Sequence, residues 1–261
     1  MEDIIAYNSK AWDSEVLGGE NEWTKPVSSG EIERAKRGEF SIILTPNIPV
    51  PRNWFPADFK GLDILCLASG GGQQVPILAA LGANVTSFDN SAEQLNQDKF
   101  VAERDGLEIK LEKGDAADLS RFSDESFDLI WHPCSNCFMP DLQPVWNEAY
   151  RVLRKNGSLL SGFHNGFLFI FDRIKDEEEG ILEVKYSLPY SDIADLSEEE
   201  RKKYINDNEA LEFGHTLDQQ IGGQIKAGFS INGFFEDHWN DEATALNKYC
   251  ATFIATKAVK Y

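Results

Sequence analysis

The stretch from Ile64 to Asp89, ILCLASGGGQQVPILAALGANVTSFD, constrains this chain more than any other. Ile64–Leu67 is a short apolar run, as expected of a strand buried on both faces. Gly70, Gly71 and Gly72 follow at once, where glycine lets the backbone turn sharply and approach a ligand. From Gln73 to Leu81, Val75, Leu78 and Ala79 recur at helical spacing. Pro76 is tolerated there because the first turn of a helix has spare N–H groups. Asn84–Phe88 reads as a second strand ending on Asp89. An acid at that position, about twenty residues beyond a glycine turn, is where a ribose diol is gripped in nucleotide-binding βαβ units.

The rest of the chain repeats the rhythm. Ser91 caps a helix from about Ala92 to Asp105, with Leu95, Phe100 and Val101 inward, and Gly106 stops it. Strands follow at Leu107–Glu112, Asp128–Trp131 and Ser158–Phe163. The helix between the last two runs from Leu142 to Leu153, and Arg154-Lys155-Asn156-Gly157 reads as its basic end with a glycine stop. Alternating strands and helices with long connections call for a parallel sheet with right-handed crossovers and helices on both faces. A helix from Leu217 to Ala227, a strand Phe229–Phe235 and a last strand Tyr249–Thr256 complete the chain. The final two strands read as an antiparallel hairpin on the sheet edge. The expected fold is therefore α/β, Rossmann-like, seven-stranded and mostly parallel.

One domain is expected, with a core at 59–166 and 214–261. Residues 1–58 form a cap: an amphipathic helix within 1–20 (Ile4, Ile5, Tyr7, Trp12, Val16 and Leu17 apolar), a polar helix Gly30–Gly38, and a proline-rich connection over 41–57. Residues 167–213 interrupt the rhythm as a lid. They contain an acidic run at Asp176–Glu179, a strand Ile181–Ser187, and a helix opened by the capping box Ser197-Glu198-Glu199-Glu200.

A net charge of −19 over 261 residues argues against nucleic acid and anionic membrane surfaces as partners. The N-terminal MEDIIAYNSK shows no secretory signal, and Cys66 and Cys250 fall in strands, so a reducing cytoplasm is expected. Cys134-Ser135-Asn136-Cys137 lacks the further ligands that a zinc site needs and reads as a pocket-lining loop, with no metal expected.

Two ligand classes suit the glycine turn. A dinucleotide fingerprint wants a third glycine where Val75 stands. The turn also carries no Lys or Arg, which excludes a P-loop. Here the residues carry a resemblance. Ile64–Gly72 (ILCLASGGG) resembles the first signature of class I S-adenosylmethionine-dependent methyltransferases. The similarity continues through FDNSAEQL, GDAADL, ESFDLIWHP and YRVLRKNGSLL, over roughly residues 60–165. Cys66, Ala68 and Ser69 depart from the usual acid, glycine and cysteine of that signature.

The resemblance implies a methyl transfer from S-adenosyl-L-methionine, releasing S-adenosyl-L-homocysteine, to a small-molecule acceptor. It implies cofactor contacts from Ala68, Ser69, Gly70, Gly72 and Gln73 on the methionine side. Asp89 would hold the ribose, and Asn90, Gln94, Asp115 and Ala116 would lie about the adenosine. His132, at the end of the fourth strand, would begin the wall between cofactor and acceptor. It is the candidate general base, against the plainer reading that it only shapes that wall. Tyr7, Trp12, Trp23, Asn136, His164 and Asn165 are the candidate acceptor contacts. Alternatives are an NAD-dependent oxidoreductase and an inactive S-adenosylmethionine-binding protein of the same fold.

Overall fold

The computed structural model describes residues 3–240 and 242–261. In chain order the elements are α1 (Ile4–Gly18), α2 (Ser29–Lys36), β1 (Asp63–Leu67), α3 (Gln74–Ala80), β2 (Asn84–Asp89), α4 (Ala92–Asp105), β3 (Ile109–Lys113), β4 (Phe127–His132), α5 (Gln143–Val152) and β5 (Leu153–His164). Then come α6 (Arg173–Glu179), β6 (Tyr190–Ser191), α7 (Asp192–Asp195), α8 (Glu198–Asn206), β7 (Phe213–Gly214), α9 (Gly223–Ala227), β8 (Ser230–Asp237) and β9 (Phe253–Val259).

Seven strands form one sheet in the order β3-β2-β1-β4-β5-β9-β8. Neighbours are parallel from β3 to β5, while β9 is antiparallel to both β5 and β8. This is the expected seven-stranded, mostly parallel, Rossmann-like sheet with an antiparallel C-terminal edge. The strand order reverses between β1 and β4, and open α/β sheets bind ligands outside the strand ends at such a switch point.

Period-two alternation divides β1 between two cores. Ile64 and Cys66 join Leu78, Phe55, Trp131 and Leu160 on one face. Leu65 and Leu67 join Phe88, Ile130, Trp146 and Leu159 on the other. Ile64, Leu65, Cys66 and Leu67 are all fully buried, which is why the strand reads as a continuous apolar run rather than an alternating one.

Several local expectations change. Phe100 is 52% exposed, and Arg104 covers its ring; α4 instead buries Gln94 and Asp98. On α1, Leu17 and Ile5 are exposed, whereas Asn8 and Ser9 are buried with Ala11 and Val16. The inward face of α1 is polar because it meets backbone groups of other segments. Arg154–Gly157 is not a helix end: α5 stops at Val152 and the chain passes straight into β5. Arg154 there bridges Asp63 and Asp128 at 2.8 and 2.7 Å, tying the starts of β1 and β4 together.

The expected strand Ile181–Ser187 is absent; Val184 makes one isolated bridge to Phe171. Its backbone pairs irregularly with 170–175 instead: Lys185 and Tyr186 N–H both donate to Ile170 O, at 2.8 and 3.0 Å, and Glu183 O accepts from Asp172 N–H at 2.9 Å. The acidic run at 176–179 belongs to α6, and the Ser197 capping box opens α8 as expected. The C-terminal helix begins with a π turn at Asp218–Gly222. Cys250 lies ahead of β9 rather than within it. All four cysteines are free.

Candidate active site

The ends of β1, β2, β3 and β4 open onto one cavity of about 520 Å³. The turn after β1 contributes Ala68, Ser69 and Gly70, and the end of β2 contributes Asp89 with Asn90 just beyond it. The loop after β3 adds Gly114, Asp115 and Ala116, and the loop after β4 adds Pro133, Cys134 and Ser135. Gln73 and Gln94 line it too. Sequence-expected cofactor residues are thus brought together, apart from Gly72 and His132, which do not line the cavity.

The glycine turn is braced from below. Ala68 takes a positive φ of 47°, a conformation that favours glycine; its N–H donates to Phe88 O at 2.7 Å. A Cβ on Gly70 would lie 2.8 Å from the Gln94 Cβ, so the turn packs directly on α4. Gly72 has φ 73° and its N–H donates to Asp98 Oδ1 at 2.8 Å. The second Asp98 oxygen accepts from Ser87 Oγ at 2.6 Å. Asp98 thereby links turn, β2 and α4 from a fully buried position, and burial pushes its carboxyl up to about 7. Sequence reasoning missed Asp98; an acid on the inner face of an amphipathic helix was the available signal.

Asp89 accepts from the Gly70 and Ser91 N–H groups at 2.9 and 2.8 Å. Burial raises its pKa, and these backbone donors oppose that shift. Each carboxylate oxygen has two acceptor sites, so Asp89 retains capacity for ligand hydroxyls. Ser69 Oγ and Gln94 Oε1 are buried without a partner. Among the described residues no Lys or Arg lines the cavity, while Asp89, Asp115, Asp141 and Glu212 do. This donor set fits a cationic ligand without phosphate, bearing an amino group and a ribose diol.

The N-terminal segment closes over the turn. Gln73 Nε2 donates to Glu22 O and Lys25 O at 2.6 and 3.1 Å, and Val27 N–H donates to Gly72 O at 2.9 Å. Asn90 Nδ2 donates to Ile5 O, and Asn90 O accepts from Ser9 Oγ, both at 2.7 Å. Asn8 bonds Phe138 O and the Leu211 backbone, fastening α1 to the β4 loop and to the segment after α8.

Of the expected acceptor contacts, Trp12, Trp23 and His164 line the cavity. Trp12 packs edge-on against Phe138, with ring centroids 5.1 Å apart. Tyr7, Asn136 and Asn165 lie outside the lining. The Tyr7 hydroxyl donates to Glu209 O at 2.9 Å. Asn165 caps a short turn at Phe167 and donates to Ala251 O at 2.9 Å.

His132 is fully buried, with Nδ1 2.9 Å from Leu67 O and Nε2 2.7 Å from Asn136 Oδ1. Asn136 in turn reaches Gln220 Oε1 at 2.6 Å. Burial lowers the His132 pKa. Neither nitrogen faces the cavity, so the geometry favours the plainer reading, a wall-bracing histidine. His215 is buried as well, with Nε2 2.9 Å from Met139 O, while His238 is exposed. Phe138, Met139, Leu44, Phe253, Trp239 and Glu212 complete the wall. These six come from five separated segments, which is why the sequence did not single them out.

A parallel sheet with a glycine turn and an acid at its switch point, and no basic group for phosphate, defines a class I S-adenosylmethionine-dependent methyltransferase, and this chain belongs to that family. The family described as "Methyltransferase domain" matches residues 65–161. The chain is 54% identical over its full length, and over the full length of its relative, to an uncharacterized methyltransferase, YbaJ, of Bacillus subtilis. It is also 32% identical over 133 residues to a sterol 24-C-methyltransferase of Pneumocystis carinii, covering 49% of this chain and 34% of that one. A solved S-adenosylmethionine-dependent methyltransferase of Mesorhizobium loti shares the fold. Its TM-score is 0.61 at 18% identity, over 80% of this chain and 95% of that one. The cofactor is S-adenosylmethionine and the product S-adenosylhomocysteine.

Proposed function

We propose that this enzyme methylates a small molecule held beside the cofactor in the cavity at the β1–β4 switch point. The observation that carries the reading is the make-up of that cavity: one half is the glycine turn with Asp89, the other an aromatic and aliphatic wall. Ala68, Ser69, Gly70 and Gln73 would face the methionine part of the cofactor. Asp89 would hold the ribose, and Asn90, Gln94, Asp115 and Ala116 would surround the base. Gly72 acts from behind, through Asp98. Trp12, Trp23, His164, Phe138 and Phe253 would contact the acceptor.

When bound, the cofactor supplies an electrophilic methyl group on a positively charged sulfur. The chain's own task is to align the acceptor with that carbon and to exclude water. Tyr7, Asn136 and Asn165 position the walls through their hydrogen bonds. His132 is assigned the same positioning role, not that of the base.

Residues 1–58 form the cap, 167–213 the lid, and 59–166 with 214–261 the core of one domain. Their mutual stitching through Asn8 and Asn90 supports that division. No described helix is long and apolar enough to cross a membrane. The charge of −19 supports a cytoplasmic enzyme without a nucleic-acid partner.

Calorimetry tests the site. Asp89→Ala removes charge-assisted hydrogen bonds, each worth about 1.5–3 kcal/mol, so S-adenosylhomocysteine should bind at least about tenfold more weakly. Unchanged affinity would refute the ribose assignment.

A further inference from the structure

A second cavity of about 530 Å³ lies under the lid segment. It shares His164, Glu212 and Trp239 with the first, so those three side chains form a common wall. Its charged lining is one-sided: ten carboxylates against Arg173, Lys185 and Lys203. Aromatic rings interleave with them. Tyr186 and Tyr190 lie 4.9 Å apart, and Phe169 stacks on Tyr190 at 5.8 Å. A cation already exploits this chemistry. The Arg173 guanidinium sits 5.5 Å over the Tyr204 ring, 2.7 Å from Glu177 and 3.7 Å from Glu209.

The shared wall holds two groups that the fold leaves wanting. Glu212 is anchored only through its backbone: its N–H donates to Asp192 Oδ2 at 2.6 Å, and its carbonyl accepts from Asp192 N–H at 3.1 Å. Its carboxylate has one charged neighbour of opposite sign among the described residues, Arg173 at 4.0 Å. Burial raises its pKa to about 7. His164 is held by rings alone, 4.6 Å from Phe253 and stacked 6.1 Å from Trp239. Its Nδ1 is buried without a partner. Burial, with His215 nearby, keeps this ring neutral, its pKa pushed down to about 4.

We infer that the acceptor is an elongated organic amine whose reacting end lies in the first cavity, whose ammonium meets Glu212 and Trp239 at the shared wall, and whose remaining length occupies the second cavity. The inference rests on the reading of the first cavity as the methyl-transfer site. An ammonium there would add a second positive charge beside Glu212, whose one such neighbour is Arg173 at 4.0 Å, lie against an indole face, and offer an N–H to the neutral His164 ring. A carboxylate or phosphate in its place would meet acids on both sides and no free base in the first cavity. An alcohol would leave Glu212 with Arg173, at 4.0 Å, as its one positive neighbour among the described residues.

Calorimetry with the full chain, alone and saturated with S-adenosylhomocysteine, distinguishes these cases. The probes are a straight-chain primary alkylammonium, an alcohol and a carboxylate of equal length. The ammonium should bind at least about tenfold more tightly than either. Glu212→Gln should weaken the ammonium about tenfold while leaving the alcohol unchanged. Trp239→Leu should also weaken the ammonium more than the alcohol. Equal binding of the three probes, or an equal loss for all of them in Glu212→Gln, overturns the inference. Failure of S-adenosylhomocysteine to bind would instead sink the cofactor reading. The cofactor-free titration then still decides the ammonium preference, and its absence there also overturns the inference.

Discussion

Asp98 makes a quantitative prediction about the floor of the site. The unfolded chain releases this proton near its ordinary value of 3.8, whereas the folded chain holds it to about 7. Across that window the folded state binds more protons, so stability falls as pH rises. Three units at about 1.4 kcal/mol each give about 4 kcal/mol in all, of which about 3 kcal/mol falls between pH 5 and pH 8. The group is fully buried, so solvent screening does not dilute the effect. Asp98→Asn cannot titrate and should lack this slope. Its amide oxygen can still accept from Gly72 N–H, and Ser87 Oγ can accept from its amide nitrogen. Urea unfolding followed by tryptophan fluorescence, across pH 5–8, checks this. The difference between the two proteins should move in the variant's favour by about 3 kcal/mol. Asp98→Ala is a different perturbation. It strands a buried N–H and a hydroxyl, costing about 1–3 kcal/mol for each. Parallel stability curves for wild type and Asp98→Asn would refute the reasoning, because an ionised Asp98 would then be as well accommodated as a neutral one.

Two further outcomes test neighbouring parts. His132→Gln should cost a few kcal/mol of stability by disturbing the Leu67–His132–Asn136–Gln220 chain, while the pH profile of kcat/KM keeps its shape. Loss of one limb of that profile without loss of stability would restore His132 as a base. Gly162→Ala should lower Tm by about 5 °C, since a Cβ there would overlap the Leu44 carbonyl; Leu44 lines the cavity. An unchanged Tm would show that the 41–57 segment is not held against β5 as described.

What the sequence determined by itself lies where structure follows from local pattern. The unit β1–turn–α3–β2 was legible because an apolar run, three glycines and a terminal acid act within 26 residues. The helix Ala92–Asp105 was legible because Ser91 caps it and Gly106 ends it in the left-handed conformation. Ala68, Ser69, Gly70, Asp89, Asn90, Asp115 and Ala116 were legible as residues of one cavity for the same reason, since they sit at strand ends.

Tertiary structure decided the rest, because those residues answer to partners distant in the chain. Arg154–Gly157 carries a helix-end composition, yet it forms a bulge inside β5, between the Leu153 and Ser158 pairings with β4. Residues 181–187 alternate like a strand but meet no ladder. His132 stands where the sequence placed it, at the end of β4, but packing turned both nitrogens into hydrogen bonds away from the cavity. Asn8 looks like an ordinary helix residue until it reaches Leu211, 203 positions away. Glu212 and Trp239 carry no local signal at all; only the folding of the lid against the C-terminal strands sets them on one wall with His164. Local pattern fixes backbone geometry, whereas a side chain's chemistry is set by what desolvates it and what it can bond, and both come from long-range packing.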